Sequence, residues 1–122
     1  MRDTLAITKA LADPNRLRIL CALQRGELCV CQIVAMLHLA TSTVSKHLTI
    51  LYQARLVEAR KQGKWMYYRL PGASETPAAV RAALRWVHQA LADDPQIRAD
   101  NKSLRAICCM TPEALCQSRN CR

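Results

Sequence analysis

Between residues 30 and 70 the spacing of apolar side chains changes twice, and each change limits what the chain can fold into. Ile33, Val34 and Leu37 fall on one face of a helix running from about Val30 to His38. Leu39-Ala40 is too short for anything but a tight connection. A second helix is expected from Thr41 or Ser42, either of which suits an N-cap, to about Gln53. Its inward stripe is Val44, Leu48 and Leu51, and its other side carries Ser42, Thr43, Lys46 and Thr49. Residues 55–60 then alternate weakly, and Trp65-Met66-Tyr67-Tyr68-Arg69-Leu70 is rich in strand formers. Lys61-Gln62-Gly63-Lys64 lies between them as a glycine-containing hairpin turn flanked by lysines.

Two helices joined by a few residues, followed by a basic hairpin, predict a mainly α fold with one β-hairpin, a winged helix-turn-helix. Earlier helices are expected over residues 3–12 and from Asp13-Pro14, an N-cap followed by proline at the first helical position. The second of these buries Leu17, Leu20, Cys21 and Leu23 and ends near Gly26. Thr76-Pro77 opens a later helix, to about Leu91, with two apolar stripes. One is Val80, Leu84, Val87 and Leu91; the other is Ala79, Ala83, Trp86 and Ala90. A face that wide needs a second partner beyond its own core, and a homodimer is expected. Residues 1–92 form one DNA-binding and dimerisation unit on this reading. Residues 93–122 show little periodicity and read as a cysteine-rich tail.

Charge points to the partner. The chain of 122 residues carries a net charge of +9. Residues 41–69 hold Lys46, Arg55, Arg60, Lys61, Lys64 and Arg69 against Glu58 alone. That concentration favours double-stranded DNA. Thr41, Ser42, Thr43, Ser45, Lys46 and His47 are expected in or beside the major groove, with Lys61 and Lys64 on the wing. No apolar stretch approaches the roughly 18 residues of a membrane span, and Met1-Arg2-Asp3 does not open a secretory leader. A cytoplasmic protein is expected, in which the seven cysteines stay reduced.

Those cysteines cluster. Cys29 and Cys31 lie at the start of the third helix, and Cys108, Cys109, Cys116 and Cys121 lie near the end. Soft thiolates select ions such as As(III), Sb(III), Cd(II) and Pb(II). In a regular helix, residues i and i+2 point roughly 200° apart. Cys29 and Cys31 can therefore share an ion only if extended backbone precedes the helix or its first turn unwinds. Two sites are open: Cys29 and Cys31 with Cys108 or Cys109, or a site wholly in the tail from Cys108, Cys109 and Cys116. His38, His47 and His88 form no ligand pattern. Cys116 to Arg122 has the Cys-x5-Arg spacing of an anion-cradling catalytic loop, but no helix is expected after it, and no enzyme is expected.

From Leu11-Ala12-Asp13-Pro14-Asn15-Arg16-Leu17-Arg18-Ile19-Leu20 through Glu27-Leu28-Cys29-Val30-Cys31, Val44-Ser45-Lys46-His47-Leu48 and Arg60-Lys61-Gln62-Gly63-Lys64-Trp65 to Tyr68-Arg69-Leu70, the chain resembles the ArsR/SmtB family of metal-sensing repressors. The Glu-Leu-Cys-Val-Cys box is most similar to its arsenic- and antimony-responsive branch. The resemblance implies a homodimeric repressor on an inverted-repeat operator, released by As(III) or Sb(III). It departs from that branch at Val34, where a third cysteine is usual, and at Gln32, where Asp is usual. Some relatives bind arsenic through a Cys-Cys pair near the end. The cadmium/lead branch shares Cys-Val-Cys but adds cysteines from an N-terminal arm, whereas the first cysteine here is Cys21. The family's zinc ligands on its last helix are not matched by residues 77–92. A thiol redox or persulfide sensor, or a Cd/Pb/Zn-responsive repressor, is the alternative on the same fold.

Overall fold

The computed structural model describes residues 1–72 and 74–110. Six helices and three short strands follow in order: α1 (Arg2–Leu11), α2 (Pro14–Leu23), β1 (Leu28–Cys29), α3 (Val30–Leu37), α4 (Thr41–Gln53), β2 (Glu58–Gln62), β3 (Trp65–Arg69), α5 (Ala78–Ala90) and α6 (Pro95–Ile107). The sheet is antiparallel in the order β1-β3-β2. The mainly helical winged helix-turn-helix expected from the apolar spacing is the fold observed.

Local chemistry explains most boundaries. Asp13 caps α2 by accepting N–H bonds from Asn15 and Arg16, with Pro14 in the first turn. His38 closes α3 in the left-handed conformation. The wing turn is the two residues Gly63-Lys64, because Lys61 and Gln62 already belong to β2 and Gln62 faces Trp65. Gly63 alone there has a positive φ, 62°, as the first position of a tight hairpin turn requires. Gly26, expected to end α2 directly, lies three residues beyond its last helical residue with φ 140°. Pro77, not Thr76, is the N-cap of α5, and the Thr76 hydroxyl instead donates to the Gly72 carbonyl.

The core lies between the helices. Ile19, Leu20, Ile33, Val44, Leu48, Leu51, Leu56, Val87 and Leu104 are fully enclosed. Each expected inward residue of α3 and α4 is among the buried set. On α5 one stripe, Val80, Leu84 and Val87, turns inward, while Trp86 of the second is 62% exposed.

The expected tail needs correction. Residues 95–107 form α6, started by Asp94, which accepts N–H bonds from Gln96 and Ile97. Ile97 and Leu104 enter the core. Asp100 between them is buried and receives a two-pronged bond from Arg18 of α2, at 2.9 and 2.8 Å, and a third from Gln96. This pairing, foremost its hydrogen bonds, raises the Arg18 pKa and keeps the guanidinium charged. The segment escaped periodicity because one of its three buried positions is a carboxylate whose partner lies 82 residues away. Leu104→Ala is expected to destabilise the protein by about 2–5 kcal/mol in urea denaturation. A stability unchanged from wild type would show that α6 is not part of the folded core.

Candidate functional site

The residues expected to face DNA lie on α4 and at the tip of the wing. Ser42, Thr43, Ser45 and Lys46 are exposed, and Thr41 is half-buried at the first turn. The N-cap of α4 is Ala40, with no side-chain cap, rather than the Thr41 or Ser42 expected. The hydroxyls of Thr41, Ser42 and Thr43 make no hydrogen bond among the described residues and remain available to a ligand. An uncapped N-terminus also leaves backbone N–H groups suited to a phosphate. Lys61 and Lys64 are exposed, and the Lys64 ammonium lies 5.1 Å from the centre of the Trp65 ring. His47 is partly buried, with Nδ1 3.2 Å from a guanidinium nitrogen of Arg16.

Cys29 and Cys31 straddle the junction of β1 and α3. Cys29 is the N-cap, in extended conformation, and Cys31 is the second helical residue. The angular conflict of a regular helix therefore does not arise. Cys29 Sγ accepts the Cys31 N–H at 3.4 Å, while the Gln32 side-chain oxygen accepts the Cys29 N–H at 2.8 Å. This is a capping box with sulfur in the place usually held by a hydroxyl. Gln32 thus has a structural task where the family pattern has Asp.

The two thiols share a small apolar nest with Ala35, lined by Trp65 and Tyr67 of β3 and Ile107 of α6. Cys29 pairs with Tyr67 across the sheet. The wing is tied to the same corner from outside. Arg60 of β2 pairs with Glu27 at 2.6 Å, one residue before β1, and lies 4.7 Å from the centre of the Tyr67 ring. The hydrogen bonds from Arg60 hold the Glu27 carboxyl below its ordinary pKa.

Cys108 and Cys109 follow Ile107 and are exposed, with the Cys109 thiol donating to the Arg105 carbonyl. The structure thus places one thiol pair in the nest and another on the residues directly after its Ile107 wall. It does not assemble a closed ligand set: among the described residues no three His, Cys, Asp or Glu side chains are grouped to hold a metal ion. Cys116 lies outside the described residues. Cys21 is buried in α2, as expected, and desolvation, aided by Asp100 and Asp94, pushes its thiol up to about 11. Sequence reasoning missed Arg16, Glu27, Arg60, Trp65, Tyr67 and Ile107 as supports of the site. A two-residue strand carries no period, so the pairing of Cys29 with Tyr67 had no signal.

A helix-turn-helix with a basic wing, packed against a thiol-lined junction, defines a DNA-binding regulator. Residues 13–59 match the model of the bacterial regulatory protein arsR family. The chain is 51% identical over 61 residues to a transcriptional repressor SmtB homolog of Synechocystis, covering 50% of this chain and 46% of that relative. It is 40% identical over 91 residues to the arsenic resistance transcriptional regulator ArsR1 of Pseudomonas putida, covering 71% and 70% of the two chains. A homodimeric winged helix-turn-helix DNA-binding domain from Mycobacterium bovis, described as a possible ArsR-family regulator, superposes with a TM-score of 0.61 at 33% identity, over 76% of this chain and 81% of that one. The chain belongs to the arsR family of transcriptional regulators. Among the described residues no helix is long and apolar enough to cross a membrane.

Two outcomes follow from this geometry. Lys46→Ala and Lys64→Ala should each lower the slope of log affinity against log salt by about 0.9, the signature of one lost phosphate contact. An unchanged slope would remove that lysine from the interface. Because the thiolate is the reacting species, iodoacetamide at pH 8 should label Cys108 and Cys109 first and Cys21 last, with Cys21 gaining reactivity only as the pH approaches about 11. Early labelling of Cys21, followed by peptide mass spectrometry, would contradict its burial.

Proposed function

We propose that this chain is the repressor of a metalloid-resistance operon. It binds an inverted-repeat operator in double-stranded DNA as a homodimer in the cytoplasm, and it leaves when As(III) or Sb(III) is bound by Cys29, Cys31 and the thiol of Cys108 or Cys109. The observation that carries this reading is the nest: Ile107 packs against the cluster that holds both helix-junction thiols, and the second pair begins at the next residue. The arsenic resistance name of one relative supports the choice of effector. Exposed Trp86 on α5 and Leu5 on α1 supply apolar surface for the dimer, and the homodimeric relative supports it.

The chain's own residues give the transmission. A trivalent metalloid favours three thiolates, and gathering them moves the end of α6 toward the α3 junction. Cys29 Sγ is also the cap of α3, so its recruitment as a ligand weakens the bond to the Cys31 N–H. α3 packs on α4, and Cys29 is paired with Tyr67 in the wing. Ligation therefore acts on both DNA-reading elements. A coupling of about 1.4 kcal/mol already lowers operator affinity tenfold.

A second reading has its own observation. Cys108 and Cys109 are exposed whereas Cys29 and Cys31 are buried, which favours first capture at the tail, with Cys116 as third ligand. Arsenite titration of the DNA-bound protein, followed by fluorescence anisotropy, separates the two. Under the shared-site reading, release is lost both in Cys29→Ser/Cys31→Ser and in Cys108→Ser/Cys109→Ser. If only the second variant fails to respond, the sensor is in the tail. If arsenite does not release the wild type, the metalloid reading falls, and parallel titrations with Cd(II), Pb(II), Zn(II) and peroxide identify the effector class.

A further inference from the structure

Arg16 is the third residue of α2, and its guanidinium reaches two other helices. Nε donates to the Ala10 carbonyl at 2.7 Å and one terminal nitrogen to the Lys9 carbonyl at 3.1 Å. Both carbonyls lie in the last turn of α1, where the Lys9 carbonyl also accepts the Ala12 N–H. The other terminal nitrogen lies 3.2 Å from Nδ1 of His47 on α4. A guanidinium has only donors and keeps its proton, so Nδ1 must be the acceptor. A neutral imidazole that accepts at Nδ1 carries its proton on Nε2. His47 Nε2 has no hydrogen-bond partner among the described residues, and no buried side-chain nitrogen or oxygen there lacks one. Nε2–H therefore reaches solvent, next in sequence to the exposed Lys46.

We propose that Arg16 is a positioning residue for DNA recognition: it fixes the His47 tautomer, so that α4 offers Nε2–H as a single, oriented donor to an acceptor atom of the bound duplex. The proposal rests on α4 being the DNA-reading helix. The donor is uncharged, which distinguishes it from Lys46. It adds a directional bond without releasing a counterion. The same guanidinium also bonds the last turn of α1, so one group joins α1, α2 and α4.

Nitrogen-15 NMR of the full chain at neutral pH tests the tautomer without any substitution. The expected spectrum shows a protonated Nε2 and a bare Nδ1 for His47. A proton on Nδ1, or an even mixture, overturns the proposal. In Arg16→Met the bias should vanish; its persistence overturns the role of Arg16. Binding is then measured on a duplex enriched by the wild-type protein from a random-sequence pool. His47→Ala and Arg16→Met should each weaken binding about tenfold with an unchanged salt slope. The double variant should be no weaker than the weaker single one, because Arg16 acts through His47. Additive losses, or a slope reduced by about 0.9 in Arg16→Met, would make Arg16 a direct phosphate contact and overturn the proposal. Full affinity in His47→Ala overturns it as well. If Lys46→Ala also keeps full affinity and slope, the assignment of α4 to DNA falls too, whereas a loss confined to Lys46→Ala leaves that assignment standing.

Discussion

The structure turns on one short junction. Cys29 is at once the last residue of β1, the cross-strand partner of Tyr67 and the N-cap of α3. Its sulfur and the Gln32 side chain satisfy each other's segment in a reciprocal pair of bonds. N-cap side chains contribute about 0.5–2 kcal/mol to a helix. α3 has only eight residues, too short to persist without packing and a good start. The wing and the helix that supports α4 therefore meet at a thiol sulfur, which is a soft donor atom. Chemistry at that sulfur acts on backbone geometry directly and needs no long relay.

Two further ties make the junction a stiff corner. Outside, Arg60 joins the wing to Glu27 and lies over Tyr67. This exposed pair is weak in energy and screened by salt, so its value is orientation. Inside, α6 is held to α2 by Arg18 and Asp100, with Asp100 buried. Removing one partner of a buried pair typically costs about 3–5 kcal/mol, because the other charge is left without compensation. α6 is therefore anchored near its middle, carries Ile107 to the nest and leaves Cys108 and Cys109 exposed at its end. A rigid approach with a reactive end suits a closing motion that is small and defined.

Much of this was legible in the chain. The stripes Ile33, Val34, Leu37 and Val44, Leu48, Leu51 located the helix pair, since burial of one face imposes helical spacing. Gly63 located the wing, since a positive φ is required there. Three features were hidden for physical reasons. β1 is too short to show alternation, and it exists because β3 offers it an edge. The cap of α4 was misplaced because hydroxyl residues usually suit a cap, whereas here Ala40 takes that position with no side-chain bond. α6 was read as a tail because Asp100 interrupts its apolar stripe, and only the distant Arg18 makes that position buried. For the thiols, the sequence could pair Cys29 and Cys31 with Cys108 or Cys109, but it gave no sign that Ile107, the residue before that second pair, packs against the nest.

The central claim is that occupancy of the thiols at the β1–α3 junction is felt by both α4 and the wing. Hydrogen–deuterium exchange of the DNA-free protein, with and without arsenite, tests it most directly. Altered protection is expected at the amides of Cys31 and Gln32, through α3 and along β3, together with a change at the end of α6. A change confined to residues after Ile107, with α3 and the wing unaltered, would contradict it.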